Sequence, residues 1–259
     1  MSSDYDEFGL KLLREFKQCE DRDGSQAFDS LTSIHQYFPL YKLTNKYLLQ
    51  GVNVLDWGAG SGHFTFFLIN SGYKTTSYSF NYPGLLEGKE SQLNLKFILG
   101  NVRQPTVIPV LDNDFDAIYS VGVLEHVREF GGTEEASISE IHRALKVGGL
   151  FFCYHFPNKL SWIEFLARIL KVWSHQYLYS KADINKLFSE EKWEIVELKR
   201  YAVLPRNILG KIPLNCLKES RLAALFFDGL DNLLTYPFRF FAQNWVIVVR
   251  KKANSLNND

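Results

Sequence analysis

The sequence predicts an α/β fold built on a mainly parallel sheet, and three observations support this. An apolar segment with the character of a buried strand runs directly into a glycine-rich turn at residues 52–62. From residue 52 to residue 154, apolar segments of strand length alternate with segments of helical periodicity, which is typical of parallel strands joined by helices. A length of 259 residues suits one such domain with elaborations, or at most two domains.

Residues 1–50 are predicted to form a helical cap outside the sheet. A helix is expected over residues 7–17, followed by a polar turn, DRDGSQ, at residues 21–26. An aromatic-rich second helix is expected over residues 30–49. We expect neither helical segment to contribute a strand.

The glycine-rich turn between the first strand and the next helix predicts a ligand site. Gly58, Gly60 and Gly62 allow the backbone to turn sharply and to approach a ligand closely. The apolar segment 63–70 that follows has helical spacing, so a strand end and a helix N-terminus meet at the glycines. The pattern is GxGxG and lacks the third glycine of GxGxxG, so it indicates a nucleoside-type ligand without specifying which one.

Asp56, at the tip of the first strand, distinguishes between a dinucleotide and a ligand with an amino-acid group. A carboxylate there would repel the pyrophosphate of a dinucleotide and attract the ammonium group of an amino acid. The turn therefore favours S-adenosylmethionine over NAD. The structural alternative is a tight strand-to-helix turn in which Asp56 only caps the helix.

Turn and cap signals mark the remaining elements. Gly72 is predicted to end a helix, NYPG at residues 81–84 to form a turn, and Thr133 to cap a helix that carries Ile138, Ile141 and Leu145. Strands are expected at residues 73–79, 95–99, 193–201 and 244–250, and helices at residues 161–171 and 181–188.

Residues 207–242 separate the last two predicted strands, which would otherwise form a closing hairpin. Hairpin loops usually have two to five residues, so this long apolar insertion requires an explanation. One interpretation is that its helix is covered by the core and helps to roof the site. The alternative is that LTYPFRFF, at residues 234–241, contacts a membrane surface or a lipid-linked substrate, because aromatic side chains beside Arg239 suit an interface.

Three segments, in order, resemble the class I S-adenosylmethionine-dependent methyltransferases. VLDWGAGSG at residues 54–62 resembles their first motif, DFDAIYSVGVLEHV at residues 114–127 their fourth-strand segment, and RALKVGGLFFCYH at residues 143–155 the following helix, turn and fifth strand. The resemblance covers residues 52–157. It implies a doubly wound, seven-stranded, mainly parallel sheet with S-adenosyl-L-methionine as cofactor. The implied methyltransferase domain spans residues 51–259, with a lid segment at residues 156–180.

The resemblance also implies cofactor contacts, two of which depart from the family pattern. The second strand should end in Asp or Glu, which binds both ribose hydroxyls, but this chain has Ser79, which lacks the charge. Asn81 or Tyr82 is an alternative source of that contact. Asn101 replaces the usual aspartate at the adenine amino group. The implied cofactor-binding residues are Asp56, Gly58, Ala59, Gly60, Gly62, Ser79, Asn101, Val102, Ser120 and Val121.

Three histidines are candidate catalytic bases. Methyl transfer requires an in-line approach to the sulfonium carbon and, for a hydroxyl acceptor, a group that takes the proton. His126 follows the fourth strand beside Glu125, which either orients it or faces solvent. His155 ends the fifth strand, and His175 opens the segment HQYLYS. For each of the three, the alternative is a purely structural role.

Composition narrows the function classes. The 29 basic and 29 acidic residues balance, so no electrostatic footprint for nucleic acid is present. The three cysteines are widely spaced, which indicates neither a disulfide framework nor a zinc site, and we expect no metal. The polar N-terminal sequence and the absence of a long apolar window predict a cytoplasmic protein, with peripheral contact at the inner face of the membrane as a further expectation.

Small-molecule methylation is the predicted activity. SVGVLEHV, the PN dipeptide at residues 157–158 and HQYLYS resemble enzymes that methylate small molecules, quinones or glycans. We expect O-methylation of a sugar or of a lipid-linked glycan precursor. The alternatives are a quinone or specialised-metabolite methylase and, because of Ser79, a catalytically weak cofactor-binding partner subunit. The oligomeric state is left open.

Overall fold

The computed structural model describes residues 2–19, 28–207 and 215–253, and a seven-stranded sheet forms its centre. The strands are β1 (Asn53–Trp57), β2 (Lys74–Ser79), β3 (Lys96–Leu99), β4 (Phe115–Val121), β5 (Leu145–Pro157), β6 (Trp193–Tyr201) and β7 (Asn244–Lys251). Their order is β3-β2-β1-β4-β5-β7-β6, and only β7 runs antiparallel to its neighbours. The doubly wound, mainly parallel sheet predicted from the sequence is therefore confirmed. The predicted turn at residues 21–26 lies outside the described residues.

Helices flank both faces of the sheet. They are α1 (Ser2–Gln18), α2 (Leu31–Ile34), α3 (Phe38–Tyr47), α4 (His63–Asn70), α5 (Glu90–Leu93), α6 (Glu134–Ala144), α7 (Trp162–Ile169), α8 (Lys181–Leu187), α9 (Asn215–Lys218) and α10 (Arg221–Phe238). Short 3₁₀ turns occupy His35–Tyr37, Gly84–Leu86, Leu124–Phe130 and Arg239–Phe241. The single helix expected over residues 30–49 is interrupted by the first of these turns, and α3 restarts with Pro39 in its first turn, where the missing N–H costs no helical bond.

Two hydrophobic layers cover the sheet, and alternate residues of β5 enter them in turn. Phe152 and Tyr154 belong to the layer under α1, α3 and α4, whereas Phe151 and Cys153 belong to the layer under α6 and α8. In the first layer Tyr41 stacks on a phenylalanine of α4, with ring centroids 3.8 Å apart. The N-terminal helices are thus held to the sheet by aromatic packing.

A buried ionic cluster joins the N-terminal helices to the insertion before β7. His35 shares a 2.8 Å hydrogen bond with Asp228 through Nδ1, while its Nε2 lies 3.1 Å from Asp6 at an angle that makes no hydrogen bond. Arg206 donates to both Asp228 and Asp231. Asp231 also accepts the backbone N–H groups of Val203 and Leu204. This cluster fixes α10 against α2 and against the chain that leaves β6.

We expect Asp231→Ala to lower the free energy of unfolding by about 3 to 5 kcal/mol, because it removes one of the two carboxylates that bind Arg206 and leaves the N–H groups of Val203 and Leu204 without their acceptor. Chemical denaturation followed by circular dichroism measures this. Glu219→Ala is the matched control, since it removes a carboxylate from an exposed ion pair with Lys17 and is expected to change stability by less than about 1 kcal/mol. Equal losses in the two variants would contradict the structural role of the cluster.

Candidate active site

The loop after β1 has a backbone path that only glycine accommodates. Gly58, Gly60 and Gly62 have φ angles of +79°, +53° and +90°. A Cβ on Gly58 would lie 2.5 Å from the Val123 side chain, and one on Gly62 would lie 2.8 Å from Pro83. At Gly60 a Cβ would meet only the Gly58 carbonyl oxygen, at 3.9 Å, so the loop leaves room for a ligand at that residue.

Two adjoining cavities open beside this loop at the carboxyl ends of the strands. They have volumes of about 390 and 340 Å³. Both are lined by Gly58, Gly60, Ser79, Asn81 and Gly122, so they form two halves of one trough. Ligand sites in open α/β sheets lie at this edge.

The two halves of the trough differ in character. Trp57, Tyr78, Phe80, Pro105 and Phe130 give the first cavity flat apolar walls. The second cavity has more polar walls and reaches from the loop to the N-terminal helices; its further lining residues include Phe28, Tyr37, Ala59, Ser61, His63, Tyr82 and Val121. Of the predicted cofactor residues, Gly58, Ala59, Gly60, Ser79 and Val121 therefore lie in the walls of the trough.

Asp56 lies behind the loop and not in either cavity. Its side chain is buried under α4, where Thr65 donates a 2.6 Å hydrogen bond to Oδ2 and is itself 3.2 Å from the Ser77 hydroxyl. Burial raises the pKa of Asp56 to about 6, although the bonds from Thr65 oppose the rise. The expected contact between this carboxylate and an amino-acid ammonium is not formed by this geometry, and Asp56 instead supports the turn from within.

Four other predicted contacts also lie away from the trough. Asn101 is exposed, and its amide oxygen, the acceptor expected for adenine, accepts the Arg103 N–H at 3.0 Å in a local turn. Val102, beside it, is exposed. Ser120 is buried and accepts the Leu124 N–H. Gly62 serves the packing of the loop against Pro83. For these four residues, the cofactor contacts remain predictions from the sequence motif.

Ser79 is the residue for which the sequence predicts a contact with the ribose, and the structure places it in the trough wall. It ends β2, lines both halves of the trough, and its hydroxyl accepts the Asn81 N–H at 3.3 Å. Asn81 and Tyr82, the alternatives from the sequence, lie next to it in the trough walls. A neutral cluster thus occupies the place of the usual carboxylate.

Of the three candidate bases, the structure brings His126 and His175 together. His126 lines the first cavity, and the two rings lie 5.6 Å apart between centroids. Each Nδ1 is bonded to a carboxylate, that of Glu129 at 2.7 Å and that of Glu164 at 2.8 Å, respectively. Burial tends to lower the pKa of His175, but the bond and charge of Glu164 hold it above its ordinary value.

His155 occupies a β-bulge below the trough. Its φ of +64° coincides with a register shift between β5 and β7, and its Nδ1 lies 2.8 Å from the Tyr201 hydroxyl. Burial, with smaller contributions from His175 and Arg206, lowers the pKa of His155 to about 3. This imidazole is neutral at physiological pH, and it does not line either cavity.

Sequence reasoning missed the aromatic group between His155 and the second cavity. The Tyr37 ring lies 4.4 Å from the His63 ring and 5.0 Å from the His155 ring, between centroids. His63 is buried, which together with His155 lowers its pKa to about 3, and its Nε2 has no hydrogen-bond partner among the described residues. The aromatic content of the cap was visible in the sequence, but the meeting of residues 37, 63 and 155 depends on the fold.

Comparison with known families finds a match to part of the chain. Residues 55–153 match the family model described as a methyltransferase domain. This match confirms, for these residues, the resemblance to the class I S-adenosylmethionine-dependent methyltransferases. The matched residues extend from β1 through β5, the part of a class I methyltransferase that forms the trough.

Two curated methyltransferases are similar in sequence. A sterol 24-C-methyltransferase of Gibberella zeae is 28% identical over 161 residues, which is 60% of this chain and 39% of that protein. A ubiquinone/menaquinone biosynthesis C-methyltransferase of Bartonella bacilliformis is 28% identical over 135 residues, 49% of this chain and 48% of that protein. The matched region therefore spans less than half of each relative.

Solved structures share the fold. A chain in the complex of the Haloferax volcanii Trm112 methyltransferase activator with a methyltransferase aligns with a TM-score of 0.60 at 16% identity, covering 92% of this chain and 99% of that one. The 1,6-didemethyltoxoflavin-N1-methyltransferase of Burkholderia thailandensis, which holds S-adenosylhomocysteine, aligns with a TM-score of 0.54 at 16% identity, covering 84% and 79%. At these identities the likeness concerns the fold alone.

The trough fits S-adenosylmethionine, the cofactor of the matched family, which the sequence predicted. The space beside Gly60 and Gly122 admits a ligand against the backbone, and the flat walls of the first cavity suit a purine. The polar second cavity suits the amino-acid half and leads toward Tyr37 and His63. When bound, this cofactor supplies a methyl group on a sulfonium centre.

We expect Gly60→Leu to abolish binding of S-adenosylhomocysteine, since the side chain would occupy the trough. Gly148→Leu is the control: Gly148 also has a positive φ, +80°, and open space at its Cβ, so backbone strain is matched. Calorimetry measures both affinities on chains shown to be folded. Equal affinity in the two variants would exclude the trough as the cofactor site.

Asp56→Asn should stabilise the protein in a pH-dependent way. An acid whose folded pKa is raised contributes stability below its unfolded pKa, near 4, and loses it as the pH rises through about 6. Asparagine does not ionise, so the variant's advantage in free energy of unfolding should grow by roughly 2 to 3 kcal/mol between pH 4 and pH 7. Denaturation across this range tests it, with Asp29→Asn at an exposed position as control. A pH-independent difference would contradict burial of the charge.

Proposed function

We propose that the protein transfers a methyl group from S-adenosylmethionine to a hydroxyl of a small molecule carried on a lipid, with a lipid-linked glycan precursor as the acceptor class. The observation that carries this proposal is an exposed apolar surface on α7 and α10 whose acidic residues are turned inward. This surface flanks the chain that leaves β6, because Trp162 donates to the Val203 carbonyl while Asp231 accepts the Val203 N–H.

The α10 part of this surface is apolar and free of exposed carboxylates. Its acidic residues, Asp228 and Asp231, are both engaged by Arg206 in the buried ionic cluster. The sequence-based expectation that this helix is covered is wrong for its outer face, since four side chains there are 70 to 88% exposed: Leu222, Phe226, Leu233 and Tyr236.

The α7 part repeats the arrangement. Its acidic residue, Glu164, is buried and bonded to His175, while Arg168 donates to the His175 carbonyl. The outer side chains are apolar and exposed, and they continue beyond the helix: Phe165, Leu166, Ile169, Leu170, Val172 and Trp173. Aromatic and aliphatic side chains with arginine and lysine, and without exposed acids, suit an anionic bilayer surface. Among the described residues, no helix combines the length and apolarity needed to cross a membrane.

The part of the second cavity lined by Tyr37 and His63 supports a hydroxyl acceptor beside the amino-acid half of the cofactor. His63 Nε2 is a buried, neutral acceptor without a partner among the described residues, so it can receive a hydrogen bond from an alcohol placed there. Methyl transfer to an alcohol would form a C–O bond as the C–S bond of the cofactor breaks, and the acceptor oxygen would become strongly acidic. An imidazole of low pKa can still accept such a proton, so His63 would hold it at Nε2 before its release to water. Tyr37 packs on the ring and limits access of water.

C-methylation of a quinone-like or sterol-like acceptor is the second candidate. It is favoured by the two curated relatives, both of which are named as C-methyltransferases. The exposed apolar surface is compatible with either acceptor class. The methylated atom, oxygen or carbon, therefore distinguishes the two candidate functions.

A labelling experiment tests the activity. Protein, tritiated S-adenosylmethionine and either the lipid extract or the aqueous extract of cells are incubated, and the label in each is measured. We expect the label in the lipid extract, and mass spectrometry should place the added methyl group on an oxygen. The His63→Leu variant should lose this transfer while its affinity for the cofactor is unchanged. Label on carbon would favour the second candidate. Cofactor binding without transfer to either extract would contradict both and favour the partner-subunit alternative raised by Ser79.

We expect the protein to float with vesicles that contain phosphatidylglycerol, and less strongly with neutral phosphatidylcholine vesicles or at high salt. Phe226→Glu should weaken this binding roughly tenfold or more, because it replaces an aromatic side chain that would be buried in the bilayer by a charged one. Leu111→Glu is the matched control: Leu111, in the loop before β4, is 77% exposed, as compared with 75% for Phe226. Equal flotation of both variants would exclude α10 as the membrane contact.

A further inference from the structure

Glu125, His126 and His175 form a compact cluster at the border of the first cavity. One donor atom from each side chain lies within 4.8 Å of the donor atoms of the other two. The Glu125 carboxylate is buried, whereas the two histidines are partly exposed. His126 and Glu129 line the cavity, so the cluster adjoins the space assigned to the cofactor.

Both imidazole rings are oriented by carboxylates. Glu129 binds Nδ1 of His126, and Glu164 binds both Nδ1 and the backbone N–H of His175. These bonds leave Nε2 of each ring available as a ligand atom. A histidine that ligates a metal almost always has its other ring nitrogen bonded to a carboxylate or a carbonyl, which fixes the ring and raises its basicity.

Glu125 provides an independent observation. It is 3% exposed, and its Oε2 has no hydrogen-bond partner among the described residues. A buried carboxylate oxygen without a hydrogen-bond partner destabilises the fold, because it has lost its hydrogen bonds to water and forms none within the protein. A cation held by the neighbouring histidines would satisfy this oxygen.

The backbone that carries Glu125 and His126 is rigidly held. Arg128, three residues after Glu125, donates from Nε to both oxygens of the buried Glu134, at 2.8 and 2.7 Å. Tyr179 donates to the same carboxylate, and the Arg128 guanidinium lies over the Tyr177 ring. The turn after β4 and the segment around His175 are therefore fixed to one another, as a preformed site requires.

We propose that Glu125, His126 and His175 bind a divalent transition-metal ion such as Zn²⁺. Two imidazole nitrogens and one carboxylate oxygen are a ligand set for this class, whereas Mg²⁺ and Ca²⁺ prefer oxygen ligands. Three protein ligands leave coordination positions for water or for an oxygen of a second ligand. The sequence indicated no metal, because Glu125 and His126 are adjacent, His175 is distant, and no spacing motif connects them.

Titration of the metal-free full-length chain, without a histidine tag, with Co²⁺ tests the proposal. We expect one saturable set of visible d–d bands, displaced by Zn²⁺, in the absence of any cofactor or acceptor. His126→Ala and Glu125→Gln should remove the bands. Glu129→Gln, at a half-exposed position that folding tolerates, should weaken Co²⁺ binding about tenfold, because it removes only the bond that orients His126.

His142→Ala is the control, since His142 lies on α6 beside Trp193 and outside the cluster. It should bind Co²⁺ like the wild type, and circular dichroism should verify the fold of every variant. Absence of saturable binding at millimolar Co²⁺ would overturn the proposal. So would unchanged Co²⁺ affinity in both His126→Ala and Glu129→Gln.

Discussion

The arrangement of this molecule around its trough depends on the buried cluster in which Arg206 holds Asp228 and Asp231. Burial alone would raise the pKa of Asp228, but the bond from His35 and the charge of Arg206 hold it below its ordinary value, so the carboxylate stays ionised. Breaking one member of such a pair strands a charge in the interior. The cluster therefore fixes α10 against the N-terminal helical segment, and Tyr37 of that segment lines the second cavity.

The same interactions explain why the outer surface is so apolar. The acidic side chains of both helices are bonded to partners on the inner side, so the outer side carries no carboxylate. These side chains are Asp228 and Asp231 on α10 and Glu164 on α7. Contiguous apolar patches on a protein surface often mark an interaction site. The inward carboxylates stabilise the fold and, as a consequence, leave a face with the chemistry of a bilayer contact.

The fold could be predicted from the sequence because its signals are local. The glycines after β1, the cap at Thr133 and the strand patterns each depend on a few neighbouring residues, and Thr133 indeed accepts the Ala136 N–H. The site was less predictable because side-chain direction depends on long-range packing. Asp56 lies in the expected motif but points toward Thr65, and Asn101 satisfies its own turn. The meeting of His63 with Tyr37 depends on how the N-terminal helices pack on the sheet.

The contacts of Glu164 with His175 link α7 to the wall of the first cavity. It binds the ring and the backbone of His175, so α7 and the segment after it are held as a unit. His175 in turn lies against His126, in the wall of the first cavity. A carboxylate withdrawn from the surface of α7 thus orients a ring beside the cofactor space. The apolar face of α7 and the orientation of His175 are therefore two consequences of the same buried interaction, and a substitution at Glu164 would disturb both, whereas one at Phe165 would alter only the face of α7.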